Sequence, residues 1–105
     1  MNKVYSYLGL AKRAGQVVSG EQAVMGGIQR GKVLLILIAT DASENTRRKF
    51  NSLALNHNVN CYTYGNKDLL GQAMGQTPRA VVGIVNRNFA GVIQAQIRES
   101  VEQKN

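Results

Sequence analysis

The sequence predicts an α/β protein, a three-layer α/β/α sandwich around a small mixed sheet, and three observations predict it. Segments with helical spacing of apolar residues alternate with short strand-like segments along the chain. The run VLLILIA from Val33 to Ala39 is apolar on both faces and rich in branched residues, the pattern of a central strand covered by helices on both sides. The first strand-like segment is short and pattern alone leaves the strand order open, which favours a mixed sheet.

Tyr5, Leu8 and Ala11 mark a first helix from about Asn2 to Ala14, with Gly15 as its C-terminal stop. A short strand through Val17 and Val18 follows. Ser19 with Gln22 three residues on has the form of a capping box, so a second helix is expected to begin near Gly20 and run to Arg30. Val24 and Ile28, with the small Ala23 and Gly27, give it a narrow inward stripe. Gly26 and Gly27 weaken that helix by about 1 kcal/mol each relative to Ala. Something is therefore expected to come close to its backbone.

After the central strand, Ser43 caps a helix to about Asn56, with Phe50, Leu53 and Ala54 inward and Arg47, Arg48 and Lys49 mainly outward. Val59 to Thr63 reads as a short strand. Asn66 starts a helix in which Leu69, Leu70, Ala73 and Met74 pack, ending at Gly75, and the turn at Thr77-Pro78 leads into a strand from Ala80 to Val85. Asn86 or Asn88 caps the last helix, where Phe89, Ile93, Ile97 and Val101 recur every four residues, and the polar tail from Glu102 to Asn105 is expected to fray. No linker or internal repeat divides the chain. Its 105 residues, 44% hydrophobic, suffice for one core and are too few for two ordinary domains, so residues 1–105 read as a single domain.

Thirteen Lys and Arg stand against six Asp and Glu, giving a formal charge of +7 and a pI near 10.0. That balance favours a polyanionic partner, with nucleic acid foremost. Cys61 is the only cysteine, which excludes an intramolecular disulfide and a thiolate zinc site within one chain and points to a reducing compartment. The N-terminal MNKVYSYLGLAKRAG breaks its hydrophobicity at Lys12 and Arg13, so it reads as a folded helix and not as a signal peptide. No run approaches the roughly 20 apolar residues that span a bilayer. A cytoplasmic protein without membrane contact is expected.

Catalytic signatures are lacking. The sequence holds no nucleophile elbow, no phosphate loop ending in Gly-Lys-Ser/Thr and no dinucleotide fingerprint. His57 and Cys61 are four apart, but a turn at Asn58 to Asn60 is expected to separate them and deny a shared metal. Asp41 ends the central strand, where α/β enzymes keep ligand-binding groups; its expected role is to cap the turn with Ser43. No catalytic residue, metal or cofactor is assigned. An enzyme using Asp41 is the remote alternative.

Lys12-Arg13, Arg30-x-Lys32, Arg47-Arg48-Lys49, Lys67 and Arg79 hold nine of the thirteen cations, most of them beside the start or end of an element. Helix starts converging on one edge would combine backbone donors with cations, an arrangement suited to a folded RNA backbone. Tyr5, Phe50 and Phe89 fit core positions, leaving Tyr62 and Tyr64 as the residual candidates for base stacking. The competing reading is a protein-interaction module whose basic edge meets an acidic partner.

The segments GLAKRAGQVVSGEQAV, IQRGKVLLILIATDAS, YGNKDLLGQAMG and PRAVVGIV carry a family resemblance over nearly the whole chain. The chain resembles the kink-turn RNA-binding ribosomal proteins, the L-seven-Ae and L-thirty-e family, and is most similar to the bacterial YlxQ-type branch. The resemblance implies an α/β/α sandwich without catalysis, whose RNA-binding edge joins the start of the second helix to the loop before the last strand. In that family the helix start reads Gly, any residue, Asn or Lys, Glu or Gln, two more residues, then Lys. Here Gly20 keeps the glycine, Gln22 takes the Asn or Lys place, Ala23 the Glu or Gln place and Gly26 the Lys place. Ala23 cannot accept a hydrogen bond from a guanine and Gly26 has no charge, so Gln22 is the one base reader expected there. Pro78, Arg79, Ala80 and Val81 match the second contact loop, Arg79 offering a cation and Ala80 and Val81 apolar contact. Arg47 and Arg48 lie near a third contact region, and Lys12, Arg13 and Lys67 flank the edge with charge. The implied partners are structured rRNA or kink-turn-like RNA and the ribosome, with a monomer expected in the absence of RNA.

Overall fold

The computed structural model describes residues 2–103. In chain order the elements are α1 (Lys3–Arg13), β1 (Val17–Ser19), α2 (Glu21–Gln29), β2 (Leu35–Ile38), α3 (Glu44–His57), β3 (Asn60–Thr63), α4 (Lys67–Ala73), β4 (Val81–Ile84) and α5 (Arg87–Gln103). Every expected element is present, with ends shifted by a residue or two. The four strands form one mixed sheet in the order β1-β4-β2-β3. β4 pairs antiparallel with both β1 and β2, while β2 and β3 run parallel. The side chain of Val101 and the last two tail positions, Lys104 and Asn105, lie outside the described residues.

Short polar side chains start the helices. Asn2 accepts hydrogen bonds from the backbone N–H of Val4 and Tyr5, Ser43 from Thr46, Asn66 from Leu69 and Asn86 from Phe89. The choice between Asn86 and Asn88 thus falls to Asn86. Gly15, at φ +71°, turns the chain out of α1 and into β1. No peptide bond is cis among the described residues, so Thr77-Pro78 is trans.

All residues of β2 and β4 are buried, which requires cover on both faces of the sheet. α1 packs along α4 and α5, and α2 packs on α3, giving the three layers. Val4, Leu8, Val24, Ile28, Phe50, Leu70, Ile93 and Ile97 carry the helix side of the core, each contributing roughly 1.5–3 kcal/mol by burial. The expected close approach at the paired glycines involves Gly27: a Cβ there would stand 2.7 Å from Cγ2 of Val33 and 3.8 Å from Cγ2 of Val18. That spacing lets α2 lie tight against the segment leading into β2.

Candidate nucleic-acid interface

One edge of the sheet gathers the C-terminal ends of β1, β2 and β3 with the N-terminal end of β4, and backbone hydrogen bonds lock the loops there together. Gly20 N–H donates to the Val81 carbonyl at 3.0 Å, Ala39 N–H to Ala80 at 2.8 Å and Thr40 N–H to Gly65 at 2.8 Å. α2, α3 and α4 all begin from this edge. The starts of three helices, the loop before β4 and several cations therefore share one rim.

Gly20 is the N-cap of α2 at φ +89°, a backbone conformation glycine adopts freely and other residues rarely do. No side chain caps this helix. The N–H groups of its first turn thus face outward with the positive end of the helix dipole, and Gln22 and Ala23 beside them are exposed.

The capping box expected at Ser19 does not form. Ser19 is the last residue of β1, and its hydroxyl donates to Oε1 of Gln76 at 3.0 Å while accepting from Nε of Arg79 at 3.2 Å. Strand pairing aims the side chain across the rim, toward the loop before β4, and away from its own helix. Arg79 also donates through Nη1 to Oγ1 of Thr77 at 2.9 Å and to the Pro78 carbonyl at 3.4 Å, and its backbone N–H donates to the Lys67 carbonyl at 3.0 Å. All these acceptors are uncharged. Arg79 is held in place with its charge uncompensated by any carboxylate among the described residues.

Glu21 puts a carboxylate into the same rim. Its Oε2 accepts from the buried Thr46 hydroxyl at 2.9 Å and its Oε1 from Nζ of Lys49 at 3.1 Å, joining the start of α2 to α3. These hydrogen bonds, Lys49 first and Thr46 second, hold the Glu21 carboxyl below the usual carboxylate range. Arg47 is exposed, whereas Arg48 is engaged with Glu44 one turn back at 2.6 Å.

Asp41 caps α4 and not the turn at Ser43: its Oδ1 accepts from the backbone N–H of Lys67 at 2.9 Å. This bond seats Lys67 at the rim. Ala80 is half-buried beside it. Val81 is a correction to the apolar contact expected of it, because its side chain is 0% exposed and belongs to the core; only its carbonyl serves the edge. Lys12 and Arg13 close α1 and precede β1, whose far end continues into Gly20, so β1 separates them from the rim. Gln16, between them and β1, accepts from Val85 N–H at the opposite end of β4.

The two tyrosines left as stacking candidates have structural partners. The Tyr62 hydroxyl accepts from Nε of Arg98 at 2.9 Å, and the Tyr64 hydroxyl accepts from Nδ2 of Asn2 at 2.7 Å while its ring packs tilted on Tyr5, 5.8 Å between centroids. His57 ends α3 and Asn58 takes a left-handed conformation, so Cys61 on β3 points back to Oδ1 of Asn51 at 3.6 Å. Among the described residues no helix is long and apolar enough to cross a membrane.

Sequence reasoning missed the Ser19–Gln76–Arg79 link and the Glu21–Thr46–Lys49 clamp. Both join residues far apart in the chain, and neither has a local signature.

A mixed four-stranded sheet under five helices, with a glycine-started second helix meeting the loop before the last strand, defines a class shared with known proteins. The chain belongs to the ribosomal protein L7Ae/L30e/S12e/Gadd45 family, whose model matches residues 2–93. It is 35% identical over 88 residues to an RNA-binding protein YlxQ from Enterococcus faecium, covering 84% of each chain. It is likewise 35% identical over 86 residues to the RNA-binding protein YlxQ of Bacillus subtilis (strain 168), covering 82% of this chain and 86% of that one. Among solved structures, a protein with unknown function from Bacillus halodurans aligns over 93% of this chain and 99% of its own, with a TM-score of 0.91 and 33% identity. A 15.5 kD RNA-binding protein of Giardia lamblia shares the fold at a TM-score of 0.78 and 22% identity, over 96% of this chain and 86% of that one.

Proposed function

We propose that this is a non-catalytic, cytoplasmic RNA-binding protein, associated with the ribosome, that acts as one domain and is monomeric without RNA. It docks on structured or kinked RNA through Gly20, Gln22 and Ala23 at the start of α2, through Arg79 and Ala80 before β4, and through Lys67, Arg47 and Arg48 around them. Gly26, one turn on from Gln22, flanks this surface, whereas Lys12 and Arg13 lie at the other end of β1 and add only to the general positive charge. The observation that carries the reading is the convergence of an uncapped helix start with a rigidly held, charge-uncompensated Arg79 on one rim. Backbone N–H groups and cations recognise phosphate and fix the register of the RNA, while Gln22 alone offers an amide to a base edge. Phosphate contacts supply much of the affinity, and a good base contact adds discrimination of roughly 1–3 kcal/mol. Loss of acceptor and charge at Ala23 and Gly26 therefore lowers specificity more than binding.

The test is binding of the purified protein to a kink-turn RNA and to a plain duplex across a salt series. The expected result is tighter binding to the kink-turn and log affinity falling linearly with log salt, by about 0.9 per phosphate engaged on the duplex. Equal affinity for both RNAs removes the preference for kinked RNA. No binding at low salt removes RNA altogether and favours an acidic protein partner on the same rim.

A further inference from the structure

Gln22, Gly26 and Arg30 follow one another at four-residue intervals and share one face of α2 and its C-cap. The Arg30 guanidinium folds back along this face. Its Nη1 lies 3.1 Å, its Nη2 3.6 Å and its Cζ 3.7 Å from the point a Cβ on Gly26 would occupy. Long side chains on a helix lean toward its N-terminus and cover the preceding turn, and the bare backbone at Gly26 leaves room for this one. The guanidinium thus stands one turn from Gln22, although the Arg30 backbone is two turns away.

The two adjacent glycines differ in what they accommodate. Gly27 is required by the close packing of Val33. At Gly26 the three nearest atoms outside the helix backbone all belong to the Arg30 guanidinium. A glycine inside a helix destabilises it, and here the nearest approach it permits is that of a cation. Neither ion pair among the described residues, Arg48–Glu44 or Lys49–Glu21, draws Arg30 in. A planar fork of donors without a carboxylate partner, held on the outer face of α2, is suited to bidentate contact with a phosphate.

We propose that Gly26 is a seat for the Arg30 guanidinium and that Arg30 is a phosphate-contacting residue, extending the RNA-binding rim one turn along α2 beyond Gln22. The inference rests on the RNA-binding reading above.

The experiment measures binding of wild type, Arg30→Gln and Gly26→Ala to a kink-turn RNA and a plain duplex across a salt series, with thermal unfolding of each protein. Arg30→Gln should weaken binding to both RNAs by roughly eightfold at 0.1 M salt and make the log–log slope shallower by about 0.9, the counterion release of one phosphate. Its unfolding midpoint should match wild type. Gly26→Ala should unfold at the same or a higher temperature, because alanine favours the helix, and yet bind RNA more weakly, because its methyl group crowds Nη1 and shifts the guanidinium by a few tenths of an ångström from its seat. In the double variant the two losses should be less than additive. If wild type binds RNA and Arg30→Gln keeps its affinity and slope, this proposal alone is overturned. An undiminished affinity in Gly26→Ala likewise overturns the seat. A wild type that binds neither RNA at low salt overturns the proposal together with the RNA-binding reading.

Discussion

Nε of Arg79 lies 3.2 Å from the hydroxyl of Ser19, sixty residues earlier in the chain, and this hydrogen bond ties the loop before β4 to the end of β1. The contact couples two segments of the rim that local sequence leaves unrelated. With Thr77 and Pro78, it holds Arg79 by neutral acceptors alone among the described residues, so orientation is provided without cancelling charge.

Removing the Ser19 hydroxyl should therefore disturb aim and leave charge intact. Ser19→Ala, which loses the hydroxyl's bonds to both Gln76 and Arg79, is expected to weaken RNA binding by no more than the roughly 0.5–1.5 kcal/mol that the Arg79 bond is worth. Arg79→Ala should cost more, since it also removes a phosphate contact and flattens the salt dependence. Arg87→Ala, at the start of α5 beside Leu34 and Asn60, should change neither quantity. Equal losses in Arg79→Ala and Arg87→Ala would count against the proposed edge.

Glu21 puts a negative charge on the proposed edge while bracing α2 on α3. In Glu21→Gln the amide oxygen can still accept from Thr46, the negative charge is gone and Lys49 is released, so RNA affinity should rise. The Glu21–Lys49 pair is substantially exposed, so stability at neutral pH should fall by no more than about 1 kcal/mol. The Glu21 pKa is lowered in the folded state, so this contribution is present above the carboxylate's unfolded pKa and disappears as pH falls through the folded one. Denaturant midpoints of wild type and Glu21→Gln should differ at pH 7 and converge in acid; a constant gap would show that the carboxylate charge does not matter.

Gly27→Ala places a methyl group 2.7 Å from Cγ2 of Val33, whose branched side chain has little freedom to move aside. Overpacking of this kind costs about 1–3 kcal/mol, more than the roughly 1 kcal/mol that alanine adds to a helix. The variant should be the less stable protein in urea unfolding. Adding Val33→Ala should then cost less in the Gly27→Ala background than in wild type.

Burial pushes the Cys61 thiol up to about 11, which leaves little thiolate at neutral pH. Alkylation by iodoacetamide at about pH 8 should run about two orders of magnitude slower in the folded protein than in the urea-unfolded chain, where the thiol titrates near 8.5. Equal rates would place the thiol in water.

Much of the fold is legible in the sequence because its signals are local. Ser43 and Asn66 announce helix starts within three residues, Gly15 announces a stop, and the doubly apolar run at Val33 to Ala39 announces a central strand. The site is legible only where it repeats a family pattern, as at Gly20 and Arg79. Ser19 and Gln22 match a capping box in sequence, but β1 pairs with β4 through Ser19 and turns its hydroxyl toward Gln76. Strand pairing over that span outranks a local propensity, and a pattern of neighbours cannot register it. Val81 misleads for a related reason: its match to the family's second contact loop marks it as surface, while the place of β4 between β1 and β2 makes it core. Glu21 looks like an ordinary first-turn acid until α3 brings Thr46 and Lys49 beside it.

β4 is the last strand in the chain and one of the two interior strands of the sheet. Gly20 waits for the carbonyl of Val81, and Ala39 for that of Ala80. A growing polypeptide that has emerged only as far as the end of α4 already displays most of its positive charge but lacks the strand that closes the rim. The rim is therefore completed only when the last strand enters the sheet, late in synthesis.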